Sequence, residues 1–411
     1  MQTLFQSDYG TLLLLCVCAV LTPIISAKVK FIKIPTLVVE IIVGMVIGKS
    51  AFNLLGSPEV LGFMKTAGVL FFMLVLGLEI NPDIIFRKPG QKGPNPLPIV
   101  IVVFFLSLGV SFAFGYILLL AGVVKSVYMV SVIIAATAPG IVIPILKENN
   151  MTETFYGQTL ILYMTFSEIV CLFLVSSHSH MNLMGMVTNI LLIAGIILSI
   201  MLFMAIKKRI GSSYQTALGD VKHFFNLDTR FVIALMFVYV FIIHVIGYDE
   251  VLGAYVLGIT LAIVLGKKEK EVIHHKLDTI SFGFFIPLFF IITGSGINVP
   301  ALFSSTSIIM MIPILFAVMF AAKFIPAFLF KKIFSTKLTM QTGSMLAAQF
   351  SLLLIGSKIA LEAKIIDDTF YSALVVTALL TSLILPVIFN KYITKNRDSK
   401  EIFAQMSDSQ E

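Results

Sequence analysis

The carboxylate of Glu168 is the side chain in this sequence best suited to chemistry on a charged ligand. It lies in segment 155–177, which is otherwise apolar or uncharged and long enough to cross a bilayer. A carboxylate at that depth costs about 2.5–3.5 kcal/mol on insertion scales, so it is typically kept to bind or relay a charge. The residue type therefore predicts a site for a proton or a small cation. The alternative is a neutral carboxyl, or a buried ion pair that fixes helix packing.

A second group of candidate ligands lies in segment 135–144, where Pro139, Gly140 and Pro144 interrupt an apolar run. Proline and glycine in mid-membrane free backbone carbonyls, which is tolerated where those groups line a cavity or find other partners. The freed carbonyls and the Thr137 hydroxyl are hard oxygen ligands suited to an alkali cation. A simple proline kink is the alternative.

A counterpart to this break is expected in the second half of the chain, within segment 346–357. It offers the polar side chains of Gln349 and Ser351 but has no proline. The residues alone therefore indicate a break there less clearly.

The composition shows what must position these side chains. Hydrophobic residues form 58% of the 411 residues and charged residues only 12%, against about a quarter in a soluble domain. No soluble fold of this length can bury so much apolar surface, so the lipid bilayer is the expected surrounding. The net charge of +7 is then attributed to cytoplasmic loops and not to a nucleic-acid partner.

Thirteen stretches are long and apolar enough to be membrane-spanning helices. The predicted spans are 10–27, 34–53, 61–85, 97–122, 126–146, 155–177, 182–206, 231–247, 250–266, 279–299, 304–330, 338–361 and 368–390. We expect a transmembrane transporter domain over residues 1–390, with the first span retained as a helix. Residues 391–411 are expected to form a short polar cytoplasmic tail.

The distribution of basic residues predicts the orientation. Most of the 29 Lys and Arg lie in alternate gaps between spans and in the C-terminal tail. By the positive-inside rule those gaps face the cytoplasm. We therefore expect a multi-pass protein of the cell membrane with its N-terminus outside and its C-terminus inside.

Internal repetition is the next signal. Segment 68–86 aligns without gaps to segment 285–303, pairing Phe72 with Phe289 and Gly77 with Gly294. The second span, in which Gly44 lies, similarly matches the ninth, in which Gly258 lies. A shift of seven spans inverts the orientation, so the sequence predicts spans one to six and eight to thirteen as inverted repeats joined by span seven. Secondary transporters show this organisation, with the substrate near the midplane.

At the level of motifs the chain resembles the monovalent cation:proton antiporter family of the Kef and NapA-type exchangers. The resemblance covers most of the chain. It rests on six stretches: FFMLVLGLEINP at 71–82, the Thr-x-Pro of 137–139, FSEIV at 166–170, LGAYVLGI at 252–259, FGFFIPLFFIITG at 282–294 and, less closely, LAAQFSLLL at 346–354.

The resemblance implies an NhaA-like all-α fold with two crossed, broken helices, and a homodimer. It also implies that Ser167 and Glu168 occupy the positions of the family's ion-binding pair, which reads Asn-Asp, Gln-Asp or Asp-Asp in relatives. Lys323 falls where the family has a lysine able to pair with that carboxylate; snorkelling to water is the alternative. An alkali cation at Glu168, with Ser167, Thr137 and Pro139 around it, is the expected site.

These residues predict an antiporter that exchanges Na⁺ or K⁺ for protons by an alternating-access, elevator-like movement, with no cofactor. Proton and cation compete for one carboxylate, and a bare carboxylate is too costly to cross the barrier. Exchange is electroneutral if only Glu168 titrates and electrogenic if Lys323 also releases a proton. The longer side chain of Glu168, in place of the family aspartate, leaves ion selectivity open.

Other classes of function remain as alternatives. A channel needs a continuous polar pore, whereas one buried carboxylate within inverted repeats favours alternating access. An enzyme is not expected, because HExxH, GxSxG and a glycine-rich phosphate loop are missing from the sequence. A sodium-coupled carrier of organic solutes, or a sensor that does not transport, is also compatible with this fold.

Overall fold

Helices are the regular structure of this protein in the part that the computed structural model describes. The described residues are 7–28, 36–49, 51–80, 95–152, 154–177, 195, 198, 201, 205, 227–297 and 306–395. Within them, nine helices are long and apolar enough to cross a membrane, and two further apolar helices are shorter. No strand occurs in these ranges. The expected all-α polytopic membrane fold is confirmed.

The helices are numbered in chain order. The first half contains α1 (Asp8–Lys28), α2 (Thr36–Ile47), α3 (Pro58–Leu78), α4 (Pro96–Leu120), α5 (Val127–Ala135), α6 (Pro139–Glu148) and α7 (Phe155–Ser177). The second half contains α8 (Leu227–Ile246), α9 (Glu250–Val264), α10 (Lys267–Ile280), α11 (Ile286–Ser295), α12 (Thr306–Ala327), α13 (Thr336–Leu346), α14 (Ser351–Glu362) and α15 (Asp368–Lys395). A π turn, Ser281–Phe285, joins α10 to α11, and a 3₁₀ turn, Phe328–Lys332, follows α12.

Local sequence explains where several helices begin. Asn95 caps α4 by accepting a hydrogen bond from the Leu97 amide at 3.0 Å, and proline occupies the first helical position. Asp249 caps α9 in the same way, with the Val251 amide donating at 2.9 Å. Short polar side chains accept hydrogen bonds from amides at helix starts that have no partner within the helix. Proline is tolerated at the first helical position because an amide hydrogen there would have no partner within the helix.

Each predicted span contains helical residues in the described part, and the boundaries differ in a few places. Span 182–206 lies outside the described residues except for positions 195, 198, 201 and 205. The helix of span 34–53 is shorter than expected and ends at Ile47. The chain turns there, with Asn53 in the left-handed region at φ 46°.

The tenth predicted span starts too late. The helical stretch extends from Lys267 to Ser295 and includes the π turn at Ser281–Phe285, whereas the expected start was residue 279. Its first part, α10, is rich in charged residues, so a search for apolar stretches misses it. The last two residues of the predicted span, 298 and 299, lie outside the described residues.

The last helix also extends beyond its predicted end. It continues to Lys395, five residues into the segment expected to be a polar tail. No glycine or proline lies between residues 390 and 395 to stop it. Residues 396–411 lie outside the described part.

The chain divides into two compact units. The first contains Met1–Val60, Asp83–Val175 and Phe290–Glu411, and the second contains Leu61–Pro82 and Ser176–Phe289. All the residues singled out as candidate ligands belong to the first unit.

In the first unit, glycines allow α2 and α11 to pack backbone against backbone. A Cβ on Gly44 would overlap the carbonyl of Ile291, and one on Gly294 would overlap the carbonyl of Ile41. The Lys49 amide continues the contact by donating to the carbonyl of Ser295 at 3.1 Å. Side chains at these two glycines would force the helices apart.

In the second unit, α3 and α9 pack in the same manner. A Cβ on Gly77 would lie 2.6 Å from the carbonyl oxygen of Tyr255 and 2.8 Å from the Cα of Gly258. Gly44 and Gly294 thus allow one helix contact, and Gly77 and Gly258 allow the other. The repeat alignment matches the same four glycines differently, pairing Gly77 with Gly294 and Gly44 with Gly258.

Replacing Gly77 by alanine should therefore reduce the amount of folded protein and lower its Tm. Overpacking typically lowers the free energy of unfolding by about 1–3 kcal/mol. Here the added Cβ would meet backbone atoms, which cannot move away as a flexible side chain can. The matched control is Gly62→Ala in the same helix, where a Cβ meets nothing within 4 Å. Temperature-ramped size-exclusion chromatography in detergent measures both, and equal Tm values for the two variants would contradict the close contact.

Candidate functional site

Two interrupted helices cross in the first unit. The first interruption, residues 136–138, separates α5 from α6, and the second, residues 347–350, separates α13 from α14. The amide of Ala138 donates to the carbonyl of Ala348 at 3.2 Å, so the two unwound segments bond directly. The expected pair of crossed, broken helices is present, including the second break, which has no proline.

The first break has a local cause. Pro139 lacks an amide hydrogen and disfavours helical geometry in the residue before it. Ala138 accordingly adopts φ −114° and ψ 84°, and α6 begins at Pro139. Pro139 therefore acts here through the backbone.

The carbonyl groups at the end of α5 accept hydrogen bonds from three side chains, which belong to α7, α12 and the second unwound segment. Gln349 Nε2 donates to the carbonyl of Ile134 at 2.7 Å. Lys323 Nζ, from α12, donates to the carbonyl of Ala135, and Ser167 Oγ, from α7, donates to the same carbonyl at 3.3 Å. A helix C-terminus carries partial negative charge, so a lysine is a favourable partner there.

The second break is held by α15. The hydroxyls of Thr381 and Ser382 donate to the carbonyl of Gln349 at 3.4 and 3.1 Å. The same two hydroxyls also approach the carbonyl of Ala378 within their own helix. Sequence reasoning missed both residues, although two adjacent hydroxyl residues in an apolar helix are a signal for a buried polar contact.

Glu168 is buried beside the crossover, with an exposed fraction of 1%. Neither carboxylate oxygen has a hydrogen-bond partner among the residues that the structure describes. Buried polar groups are nearly always paired, so two unpaired oxygens on one carboxylate call for an explanation.

Lys323 does not snorkel to water, since only 1% of it is exposed. Among the described residues, its ammonium makes no hydrogen bond to either carboxylate oxygen of Glu168. Its ammonium instead bonds to Ala135 and lies 5.7 Å from the centre of the Tyr163 ring. The pairing of Lys323 with Glu168 stays a prediction, and the bond to the Ala135 carbonyl is an additional contact that the sequence did not suggest.

Two further unpaired oxygens accompany the carboxylate. Thr137 Oγ1 and Gln349 Oε1 are buried and lack hydrogen-bond partners within the described residues. Each sits in one of the two unwound segments. Ser351 begins α14, and its side chain lies outside the described part. The crossover therefore offers a carboxylate, a hydroxyl and an amide oxygen that have no hydrogen-bond partner in the described part of the chain, and such oxygens are suitable ligands for a hard cation.

Comparison with known proteins agrees with this geometry. Residues 16–395 match the family model described as sodium/hydrogen exchanger, transmembrane. The chain is 27% identical over 414 residues to YjbQ of Bacillus subtilis, a protein named as a Na⁺/H⁺ antiporter, covering 96% of this chain and 65% of that one. It is 26% identical over 395 residues to the Na⁺/H⁺ antiporter of Enterococcus hirae, covering 93% and 97%.

A solved structure shares the fold. The sodium proton antiporter MjNhaP1 from Methanocaldococcus jannaschii superposes with a TM-score of 0.61 at 18% identity, covering 96% of this chain and 98% of that one. The named relatives are transporters. The resemblance inferred from the motifs is thereby confirmed: the protein belongs to the sodium/hydrogen exchanger family.

Proposed function

We propose that the protein exchanges a monovalent cation, Na⁺ or K⁺, for protons across the cell membrane by an elevator-like, alternating-access movement. The observation that carries the proposal is the Glu168 carboxylate, which is buried at the crossover with both oxygens unpaired. A cation or a proton is the partner such a group requires, because an isolated buried charge is strongly disfavoured.

The proposed cation ligands come from both breaks. Glu168 supplies the charge, Thr137 Oγ1 and Gln349 Oε1 supply neutral oxygens, and Ser167 lies next to the carboxylate in α7. The Gln349 side chain is oriented for this role, because its Nε2 is held by Ile134 and its Oε1 remains available. The starts of α6 at Pro139 and α14 at Ser351 border the same region, as in other transporters with discontinuous helices.

Competition for Glu168 couples the two fluxes. A proton and an alkali cation each neutralise the carboxylate, and they cannot occupy the same oxygens together. The empty, charged form is costly to carry through the barrier, so only an occupied site changes sides. Binding one ligand on each face then drives exchange without ATP or a cofactor.

The position of Lys323 favours an electroneutral stoichiometry of one cation for one proton. Its ammonium is used by the carbonyl end of α5 and is not ion-paired with Glu168. A lysine that stays on the backbone throughout the cycle releases no second proton. The proposed arrangement also includes a homodimer, an outside N-terminus and a cytoplasmic C-terminus, as the family resemblance and the basic residues suggest.

Reconstitution tests this proposal. The full chain is placed in liposomes with an entrapped pH dye, and Na⁺, K⁺ and Li⁺ are added in turn. Proton movement driven by one of these cations and unchanged by a clamped membrane potential is the expected result. No proton movement with any of the three, from protein shown to be folded, would favour a sodium-coupled solute carrier or a sensor.

Replacing Gln349 by leucine should weaken cation binding without abolishing exchange. The change removes the Oε1 ligand and the Nε2 bond to Ile134, and one hydrogen bond contributes on the order of 1 kcal/mol. We expect the half-saturating cation concentration to rise about five- to tenfold, measured in the same liposomes.

The matched control for Gln349 is Gln158→Leu. Gln158 is also buried and donates through Nε2 to a carbonyl, that of Thr152 at 2.6 Å, but outside the crossover. Its loss should leave the half-saturating concentration unchanged. An equal rise in both variants would mean that Gln349 acts through stability alone.

A further inference from the structure

A second cluster of ionisable side chains lies in the other unit, where the end of α3 meets α10. Glu79 Oε1 and His274 Nε2 are 3.1 Å apart, and His274 Nδ1 and Asp278 Oδ2 are 3.6 Å apart. One ligand atom from each of the three residues lies within 4.8 Å of the other two. His274 and Asp278 are separated by one helical turn, so both side chains project from the same face of α10.

The location of Glu79 favours positive charge beside its carboxylate. It directly follows Leu78, the last residue of α3, and its side chain is only 7% exposed. The C-terminus of a helix carries partial negative charge, so a carboxylate there is disfavoured, and burial adds to the cost. A second basic side chain of α10 also reaches this end of α3, because the Lys270 ammonium donates to the carbonyl of Ile80 at 2.6 Å.

We propose that Glu79, His274 and Asp278 form a binding site for a borderline divalent cation such as Zn²⁺ or Co²⁺. Imidazole nitrogen and carboxylate oxygen are the ligands such ions accept. Glu79 and His274 Nε2 bind the ion, and Asp278 either completes the ligand set or orients the ring through Nδ1, as carboxylates do beside metal-bound histidines.

The geometry suits this assignment. Two ligands about 2.1 Å from one zinc ion at the tetrahedral angle are about 3.4 Å apart, close to the 3.1 Å between Glu79 and His274. The side chains of His274 and Asp278 are 20% and 28% exposed, so an ion can enter from solvent. The site uses none of the residues proposed for exchange and does not depend on the proposed exchange activity.

Metal titration of the purified full chain in detergent tests the proposal. The protein is first treated with a chelator, and Co²⁺ binding is then followed by visible absorption and by equilibrium dialysis, with Zn²⁺ as competitor. The wild type should bind one equivalent and gain a metal-dependent rise in Tm. His274→Ala should lose both signals, and Asp278→Asn should bind about 10- to 100-fold more weakly.

His275→Ala is the matched control, since this neighbouring histidine is exposed and outside the cluster. It should bind Co²⁺ as the wild type does. If His274→Ala fails to fold, Glu79→Gln replaces it, with the same expected loss. The proposal is overturned if the wild type binds no stoichiometric metal, or if His275→Ala weakens binding as much as the cluster variants.

Discussion

Proton movement in response to an added cation should fall to the rate of protein-free liposomes when Glu168 is replaced by glutamine. The amide keeps the shape of the side chain and removes its charge and its ability to carry a proton. Because the proposed coupling depends on proton and cation competing for one carboxylate, both fluxes should stop together. The measurement is dye-reported exchange, with folded protein verified by size-exclusion chromatography.

Glu40→Gln is the control for this prediction. Among the described residues of the first unit, Glu40 is another carboxylate buried in an apolar helix, α2, with an exposed fraction of 2%. No hydrogen bond in the described residues joins it to the crossover. We expect the variant to retain exchange. Normal exchange by Glu168→Gln would refute the proposed mechanism, and loss in both variants would show that two carboxylates are required.

Replacing Lys323 by methionine should strongly destabilise the crossover. The change leaves the carbonyl of Ala135 with the Ser167 hydroxyl at 3.3 Å as its remaining side-chain partner. A hydrogen bond from a charged donor contributes about 1.5–3 kcal/mol, and the cation–π contact with Tyr163 contributes about 0.5–2 kcal/mol. We expect a lower Tm and slower exchange that remains insensitive to membrane potential.

Lys331→Met provides the comparison for Lys323. Lys331 is exposed and also lies 5.7 Å from an aromatic ring, that of Phe328. Its loss should change Tm little. If exchange by wild-type protein depends on membrane potential and becomes independent of it in Lys323→Met, then Lys323 carries a proton and the electroneutral stoichiometry is wrong.

The two helix breaks show what local sequence does and does not specify. Pro139 predicts the first break, because proline restricts its own backbone conformation and that of the preceding residue. The second break, at 347–350, has no such residue. It is stabilised by tertiary hydrogen bonds from Ala138, Thr381 and Ser382. Partners so distant in sequence become visible only in the folded chain.

Helix α10 illustrates a different limit. Apolar length identified the spans, since a bilayer demands it, but the polar helix Lys267–Ile280 has no such signature. His274 and Asp278 lie on that helix, so the cluster that they form with Glu79 was not predicted either. A search for helical periodicity among charged residues would have detected it.

Several of the residues proposed for the site from the sequence lie together at the crossover, whereas their hydrogen bonds could not be predicted. Glu168 could be identified because a carboxylate in an apolar span has a high free-energy cost of insertion into the membrane. Opposite charges suggested that Lys323 pairs with it, whereas the lysine bonds to the backbone of Ala135. Sequence shows side chains and their charges, but the unpaired carbonyls at the end of α5 arise only once the helix is broken.

The glycine contacts between helices have a consequence for how the protein is made. Gly44 packs against α11, and about 250 residues must be synthesised before Gly294 emerges, which takes on the order of tens of seconds. Ala348, the partner of Ala138, emerges later still. The contacts of α2 with α11 and of the first break with the second therefore form only after most of the second half has been synthesised.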